Sequence, residues 1–249
     1  MKDLPDYIEK RIRRGRPAAG RVVAGSTPVV AFGDLRKARV ATLGWNPSKH
    51  EFLDRKGNEL ADDERRLETL KSLGEQDLAR APAEAVRRVF EACNNYFHHH
   101  PDGRWFNKLE RILTHVRASY CDDSACHLDL VQWATDPVWR DVPELEKGQL
   151  IDADLPFLRR QLSQENFQLL LLNGTGIMEA YERHLGGKLT ELSVSDLGRW
   201  KLFAGNAAGG LKAVGWNINL QAGFGVSIEE IERIGAAVAV EVRKREMQR

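Results

Sequence analysis

The run Phe167-Gln168-Leu169-Leu170-Leu171-Leu172 constrains this fold more than any other feature of the chain. Four successive leucines do not alternate between a wet and a dry face. At strand length they read as a strand buried on both faces, the pattern of a parallel sheet covered above and below. Asn173-Gly174 ends the run, and the spacing that follows predicts a helix over about Thr175 to His184, closed by Gly186-Gly187.

The rest of the chain supplies partners for such a strand. Further strands are predicted at Pro28–Phe32, Arg39–Leu43, Cys126–Val131, Trp200–Phe203 and Lys212–Asn219. Helices are predicted at Asp3–Arg14, Asp62–Leu73, Ala83–Phe97, Trp105–Val116 and Ala153–Gln164, with a last one opening at the N-cap Ser227 above Glu229 and Glu230. His98 to Gly103 breaks one helix, and Pro137 and Pro143 keep the stretch around them in loops. Strands interleaved with helices indicate a three-layer α/β/α fold with a central, mainly parallel sheet. At 249 residues one domain spans the chain, residues 1–25 forming a basic N-terminal helix and arm and residues 28–246 the core.

Composition narrows the classes of function. Hydrophobic residues make up 42% and charged residues 29%, and no apolar stretch approaches the roughly 20 residues needed to cross a bilayer. The first residues mix charges of both signs, unlike a secretory signal, so a cytoplasmic protein without a membrane partner is expected. Cys93, Cys121 and Cys126 form no CxxC pair and read as buried thiols in a reducing compartment. His98-His99-His100 is a poor metal site, since adjacent residues point in different directions, and neither metal nor cofactor is expected. With a net charge of +1 the whole chain neither demands nor forbids nucleic acid. The cluster Lys10, Arg11, Arg13, Arg14, Arg16 and Arg21 either meets phosphates by charge or is a solvated arm.

Three strands end in or just before polar residues: Asn46-Pro47-Ser48, Asp129 with Gln132, and Asn217, Asn219 and Gln221. Ligands of open α/β sheets bind beyond the carboxyl ends of strands, so these clusters are the candidates for one cleft. Asn173-Gly174 ends a fourth strand, as a plain turn or as part of that site. Asp129 has the alternative of a helix cap or an ion-pair partner, and Trp105 and Phe106 read as core. His50 and Glu51 lie close enough to the Gly44 loop to supply an acid or base, although a solvated loop accounts for them as well.

Val30-Ala31-Phe32-Gly33-Asp34, followed by Arg39 to Ser48 (RVATLGWNPS), resembles the opening of the uracil-DNA glycosylase superfamily, in which a strand ends in a Gly-x-Asp/Asn-Pro loop. Gly44-Trp45-Asn46-Pro47-Ser48 is similar to the Asn-containing loop of its mismatch-specific and single-strand-selective branches. CHLDLVQWATDP is similar to the strand carrying a base-reading residue, and FQLLLLNGTGI to the strand that runs into a Gly turn and helix, so the resemblance covers about residues 28 to 240. It implies a DNA glycosylase that cleaves a uracil-like, deaminated or modified base from single- or double-stranded DNA. Asn46, Asn217 and Asn219 would then do the chemistry, Trp45, Phe52, Asp129 and Trp216 would bind the base, and Gly44, Pro47, Ser48, Asn173, Gly174, Gln221, Arg14 and Arg16 would contact DNA or shape the backbone.

Where the family has a His-Pro-Ser motif, this chain has Trp216-Asn217-Ile218-Asn219-Leu220-Gln221, without a histidine, and it lacks the four cysteines of the iron-sulfur branch. An amide at Asn217 or Asn219 would have to stabilise the leaving base, and Asn46 would hold the water by positioning rather than as a strong base. An ionised Asp129 only accepts hydrogen bonds, which favours a base presenting an amino group. Two alternatives remain: a module that binds a modified base without cutting it, and a hydrolase of free nucleosides or nucleotides.

Overall fold

The computed structural model describes residues 4–17, 21–101, 105–194, 198, 200–222 and 225–246. Expectations touching Asp3, Asp102-Gly103 and residues 247–249 lie outside the described residues. Along the chain, α1 (Asp6–Arg13) precedes β1 (Val40–Gly44). Then α2 (Leu70–Leu73), α3 (Ala83–Asn94), α4 (Tyr96–His99) and α5 (Asn107–His115) lead to β2 (Ala125–Asp129). Next, α6 (Glu144–Gln164) is followed by β3 (Leu169–Asn173) and α7 (Thr175–Leu185). Finally β4 (Lys188–Leu192), β5 (Leu202–Asn206) and β6 (Lys212–Trp216) precede α8 (Ile228–Glu246).

The chain gathers into two compact units, each built from three segments. The first contains Met1–Asp34, Trp45–His100 and Leu128–Gln161, and the second Leu35–Gly44, Pro101–His127 and Leu162–Arg249.

The second unit holds the sheet, whose strand order is β2-β1-β3-β6-β5-β4. β3 runs parallel to β1 on one side (Leu172 opposite Leu43) and to β6 on the other (Asn173 opposite Trp216). β5 is antiparallel to β6 and to β4, so β1, β3, β6 and β4 share one direction and β5 opposes it. Every residue of β1 and β3 is buried, which is why the leucine run tolerates no polar position. The class is α/β, a mainly parallel central sheet flanked by helices in the three-layer α/β/α manner. In this unit α7 packs on β3, β4 and β6, and α8 packs on β5 and along α5. The last contact is close: a Cβ at Gly235 of α8 would come within 2.3 Å of the His115 ring of α5.

The first unit is helical and irregular. Ile8 and Ile12 of α1, Val86, Val89 and Phe90 of α3, and Leu150, Leu155 and Leu158 of α6 are buried. A charged network crosses this core. Arg11 donates through Nη2 to both carboxylate oxygens of Asp154 at 3.0 Å and through Nε to Gln132 Oε1 at 3.1 Å, while Asp154 also accepts from the Gln132 amide at 2.7 Å.

Several predicted boundaries move. Pro28–Phe32 is buried but joins no strand, because Val29 N–H bonds instead to Gln132 O at 2.8 Å. The helix expected from Asp62 shrinks to α2, where the reciprocal Thr69–Ser72 capping box sets its start. The helix expected through Phe97 stops at Asn94 and resumes as α4. α6 starts nine residues earlier than predicted, at Glu144, directly after Pro143, and carries Pro156 inside it. β4 escapes sequence reasoning because it lies at the sheet edge and is largely exposed. Cys93 and Cys126 are buried thiols, but Cys121 is exposed. Among the described residues no helix is long and apolar enough to cross a membrane, and no three His, Cys, Asp or Glu residues are grouped to hold a metal.

Candidate functional site

β1, β3 and β6 bring their carboxyl ends, at Gly44, Asn173 and Trp216, to one edge of the sheet. The clusters at Asn46, Asn173 and Asn217 begin at or just after these ends, and Asp129 closes β2.

In the first unit the chain leaves Gly44 through Trp45-Asn46-Pro47-Ser48 into a 3-10 turn, Lys49–Glu51, which the Ser48 hydroxyl caps by accepting from His50 N–H at 3.2 Å. This loop is fastened to the segment following Asp129. Val131 N–H donates to Trp45 O at 2.9 Å, and Lys49 pairs with Asp136 at 2.7 Å. Asn46 Nδ2 donates to Trp133 O and to Thr135 Oγ1, both at 3.1 Å. A carbonyl only accepts, so the Trp133 contact fixes which end of the Asn46 amide is the NH2. Among the described residues no protein group engages Asn46 Oδ1, and the side chain is half-buried. The result is a held amide whose oxygen is available to accept a hydrogen bond from a water or ligand.

Trp45 stacks on Trp139 with ring centroids 5.8 Å apart and planes 24° from parallel, and both rings are half-buried. Lys147 Nζ stands 6.0 Å from the centre of the Trp139 ring. Asp129 closes β2 and is almost fully buried, its backbone oxygen accepting from Gln132 Nε2 at 2.9 Å. Phe52, predicted to line a base pocket, is a core residue at 2% exposure.

In the second unit Asn173 is a hub. Its Oδ1 accepts from Trp216 Nε1 and from Leu220 N–H, both at 3.0 Å, and its Nδ2 donates to Asn219 Oδ1 at 3.2 Å and to Gln221 Oε1. All four hydrogen-bonding positions of the amide are filled, which sets its orientation and that of its neighbours. Asn219 Oδ1 also accepts from Gln221 N–H, and Gln221 Nε2 donates to Trp105 O at 2.8 Å. Asn217 is held differently, its Oδ1 accepting from Lys201 N–H at 2.9 Å. Gly174, at φ 96°, lets the chain pass close to Asn219, whose backbone nitrogen would lie 3.0 Å from an added Cβ. The structure therefore brings Asn173, Gly174, Asn219 and Gln221 together, in a turn whose Asn173 side chain braces the segment after β6.

Other predicted residues have different surroundings. Trp216 is fully buried and anchored by Asn173, so it is a core residue and not a pocket wall. Trp105, read as core, is 43% exposed, whereas Phe106 is buried. Within the first unit Arg14 binds Ala153 O and Asp154, and Arg16 donates to Val22 O at 2.6 Å, so both guanidiniums brace their own chain.

Sequence reasoning underrated three features. Trp139 was hidden in a proline-bounded loop, and Thr135 had no motif to mark it. Glu51, given a solvated-loop alternative, is buried and accepts from the Tyr96 hydroxyl at 2.7 Å. Burial pushes its carboxyl above the ordinary glutamate value, opposed by the Tyr96 hydrogen bond and by Arg66. Its place immediately after the Asn46 loop was the available signal.

Fold and side chains together define an α/β protein that presents oriented amides where its parallel strands end. No protein-family model matches the chain, and no curated protein matches it.

Proposed function

We propose that the protein is an N-glycosidic hydrolase acting on DNA, removing a uracil-like, deaminated or otherwise modified base. The observation that carries this reading is the Asn46 amide, fixed by two donated hydrogen bonds with its oxygen unengaged, on the loop that leaves β1. Glycosidic cleavage needs a water held near the anomeric carbon and support for positive charge developing on the sugar. Asn46 Oδ1 accepts from that water and aims it. As the water oxygen bonds to C1′ the C1′–N bond breaks, its electron pair leaves with the base, and the water's surplus proton passes to solvent or to the base. An amide is no strong base, so the rate comes from positioning.

A base must leave the stack to reach such a site, and aromatic faces stabilise it there. The accessible Trp45–Trp139 pair next to Asn46 supports this role. An ionised Asp129 would accept from an amino group on the preferred base. In the second unit Asn217 and Asn219 each carry an NH2 group that has no protein acceptor among the described residues and that a ligand could engage.

A second reading, a module that recognises a modified base without cutting, is favoured by one observation: both partners of the Asn46 amide, Trp133 O and Thr135 Oγ1, are uncharged and neither titrates near neutral pH. The test is a screen of purified protein against labelled oligonucleotides carrying uracil, hypoxanthine, xanthine or hypermodified cytosines, followed by alkali. Strand scission lost in Asn46→Ala is the expected result. Salt-sensitive binding without scission supports the second reading, and absence of both rejects a nucleic-acid role.

A further inference from the structure

The first unit contains a cavity of about 340 Å³ that no part of the proposed chemistry uses. Its charged lining comes from two stretches: Arg65, Arg66 and Glu68 from the chain ahead of α2, and Arg88, His99 and His100 from α3, α4 and the residue after α4. Volumes of roughly 300–1,000 Å³ are those of small-ligand sites.

Its cations are arranged around carboxylates that already have partners. Glu68 takes Arg88 through three hydrogen bonds of 3.0 to 3.3 Å and also accepts from the Ser72 hydroxyl, so its oxygens are filled from one side. Glu51, behind the cavity, is held by Tyr96 and has Arg66 Nη1 3.6 Å away. Neither acid claims the whole of its arginine. Arg66 is 44% and Arg88 38% exposed, and a guanidinium offers five N–H donors in a fixed fork. The His100 imidazole is held below its ordinary value first by burial and then by the charges of Arg66 and His99, opposed by a hydrogen bond to the Arg66 backbone. Glu91 lies on the lining as well and forms a distant pair with Arg87.

Arg65 holds Asp62 through Nη1 at 2.7 Å, and Arg88 Nη2 also donates to Ser72 O at 3.3 Å. We propose that this cavity is a phosphate site, in which the N–H groups of Arg65, Arg66 and Arg88 that these partners leave over, with the imidazoles of His99 and His100, bind one phosphate group. Forked guanidiniums match the oxygens of a phosphate two at a time, a geometry that a lone lysine does not offer. The site is independent of the Asn46 chemistry, so either can fail without the other.

The experiment titrates inorganic phosphate into the full chain and follows saturation by ³¹P NMR and calorimetry, beside the double variant Arg65→Gln/Arg66→Gln and the conservative Arg66→Lys. Circular dichroism checks that each variant is folded. Saturable binding that weakens about tenfold or more in the double variant, and less in Arg66→Lys, is expected, since the double variant removes two forked charge-assisted donors and Arg66→Lys keeps the charge. Competing ligands separate the sources. Displacement by a short unmodified oligonucleotide identifies a backbone phosphate, and displacement by a mononucleotide alone identifies a free phosphoester; either upholds the site. Absence of saturable binding, or equal binding by wild type and the folded double variant, overturns it.

Discussion

Replacing Asn173 by alanine withdraws one acceptor from two buried donors, Trp216 Nε1–H and Leu220 N–H, both at fully buried residues. A buried donor left without a partner costs about 1–3 kcal/mol, so Asn173→Ala should destabilise the protein by about 4 kcal/mol. A double-mutant cycle isolates the cause. In a Trp216→Phe background the indole N–H no longer exists, only Leu220 is orphaned, and the cost of Asn173→Ala should fall by about 1–3 kcal/mol. Urea unfolding followed by far-ultraviolet circular dichroism measures all four proteins. An equal cost of Asn173→Ala in both backgrounds would refute the hub, because the indole bond would then contribute nothing.

Asp154→Ala leaves the Arg11 guanidinium buried without its carboxylate and should cost about 3–5 kcal/mol, more than Arg11→Met, after which Asp154 keeps Arg14 and the Gln132 amide. Denaturant midpoints that rank the two variants the other way would sink this account. Gly174→Ala places a Cβ at φ 96° against the Asn219 backbone; a loss of about 1–3 kcal/mol is expected, and an unchanged thermal midpoint would show that the turn is not strained by a side chain. Glu51, with its folded value raised by burial, binds its proton more tightly folded than unfolded, so its contribution to stability is present below the unfolded value and is lost as pH rises through the folded one. Glu51→Gln should therefore gain stability relative to wild type as pH rises above the ordinary glutamate value of about 4.3, and parallel stability curves through that rise would count against the buried carboxyl.

The leucine run announced its parallel strand because burial on both faces leaves a signature in consecutive residues. β4 left none: at the sheet edge its stability comes from hydrogen bonds to β5, which any alternating or mixed sequence can make. The candidate site divides along the same line. Asn46 was legible because a strand and a Gly-x-Asn-Pro loop are adjacent in sequence. Trp216 was misread since its burial depends on Asn173 accepting from the indole, a partner 43 positions away that no local pattern encodes. Trp139 depends likewise on Trp45, far off in the chain. Arg14 and Arg16 read as a basic arm because charge is visible in sequence and its intramolecular partners are not.

The alternation of segments between the two units bears on how the protein can be divided. The shortest fragment containing every segment of the first unit ends at Gln161, and it necessarily carries Leu35–Gly44 and Pro101–His127 as well. Those pieces hold β1 and most of β2, and in that fragment β1 has lost β3, its parallel partner along Val40–Leu43. An apolar strand with an open hydrogen-bonding edge is a template for self-association. Residues 1–161 are thus expected to aggregate when produced alone, and a C-terminal truncation anywhere before β3 removes the sheet's centre.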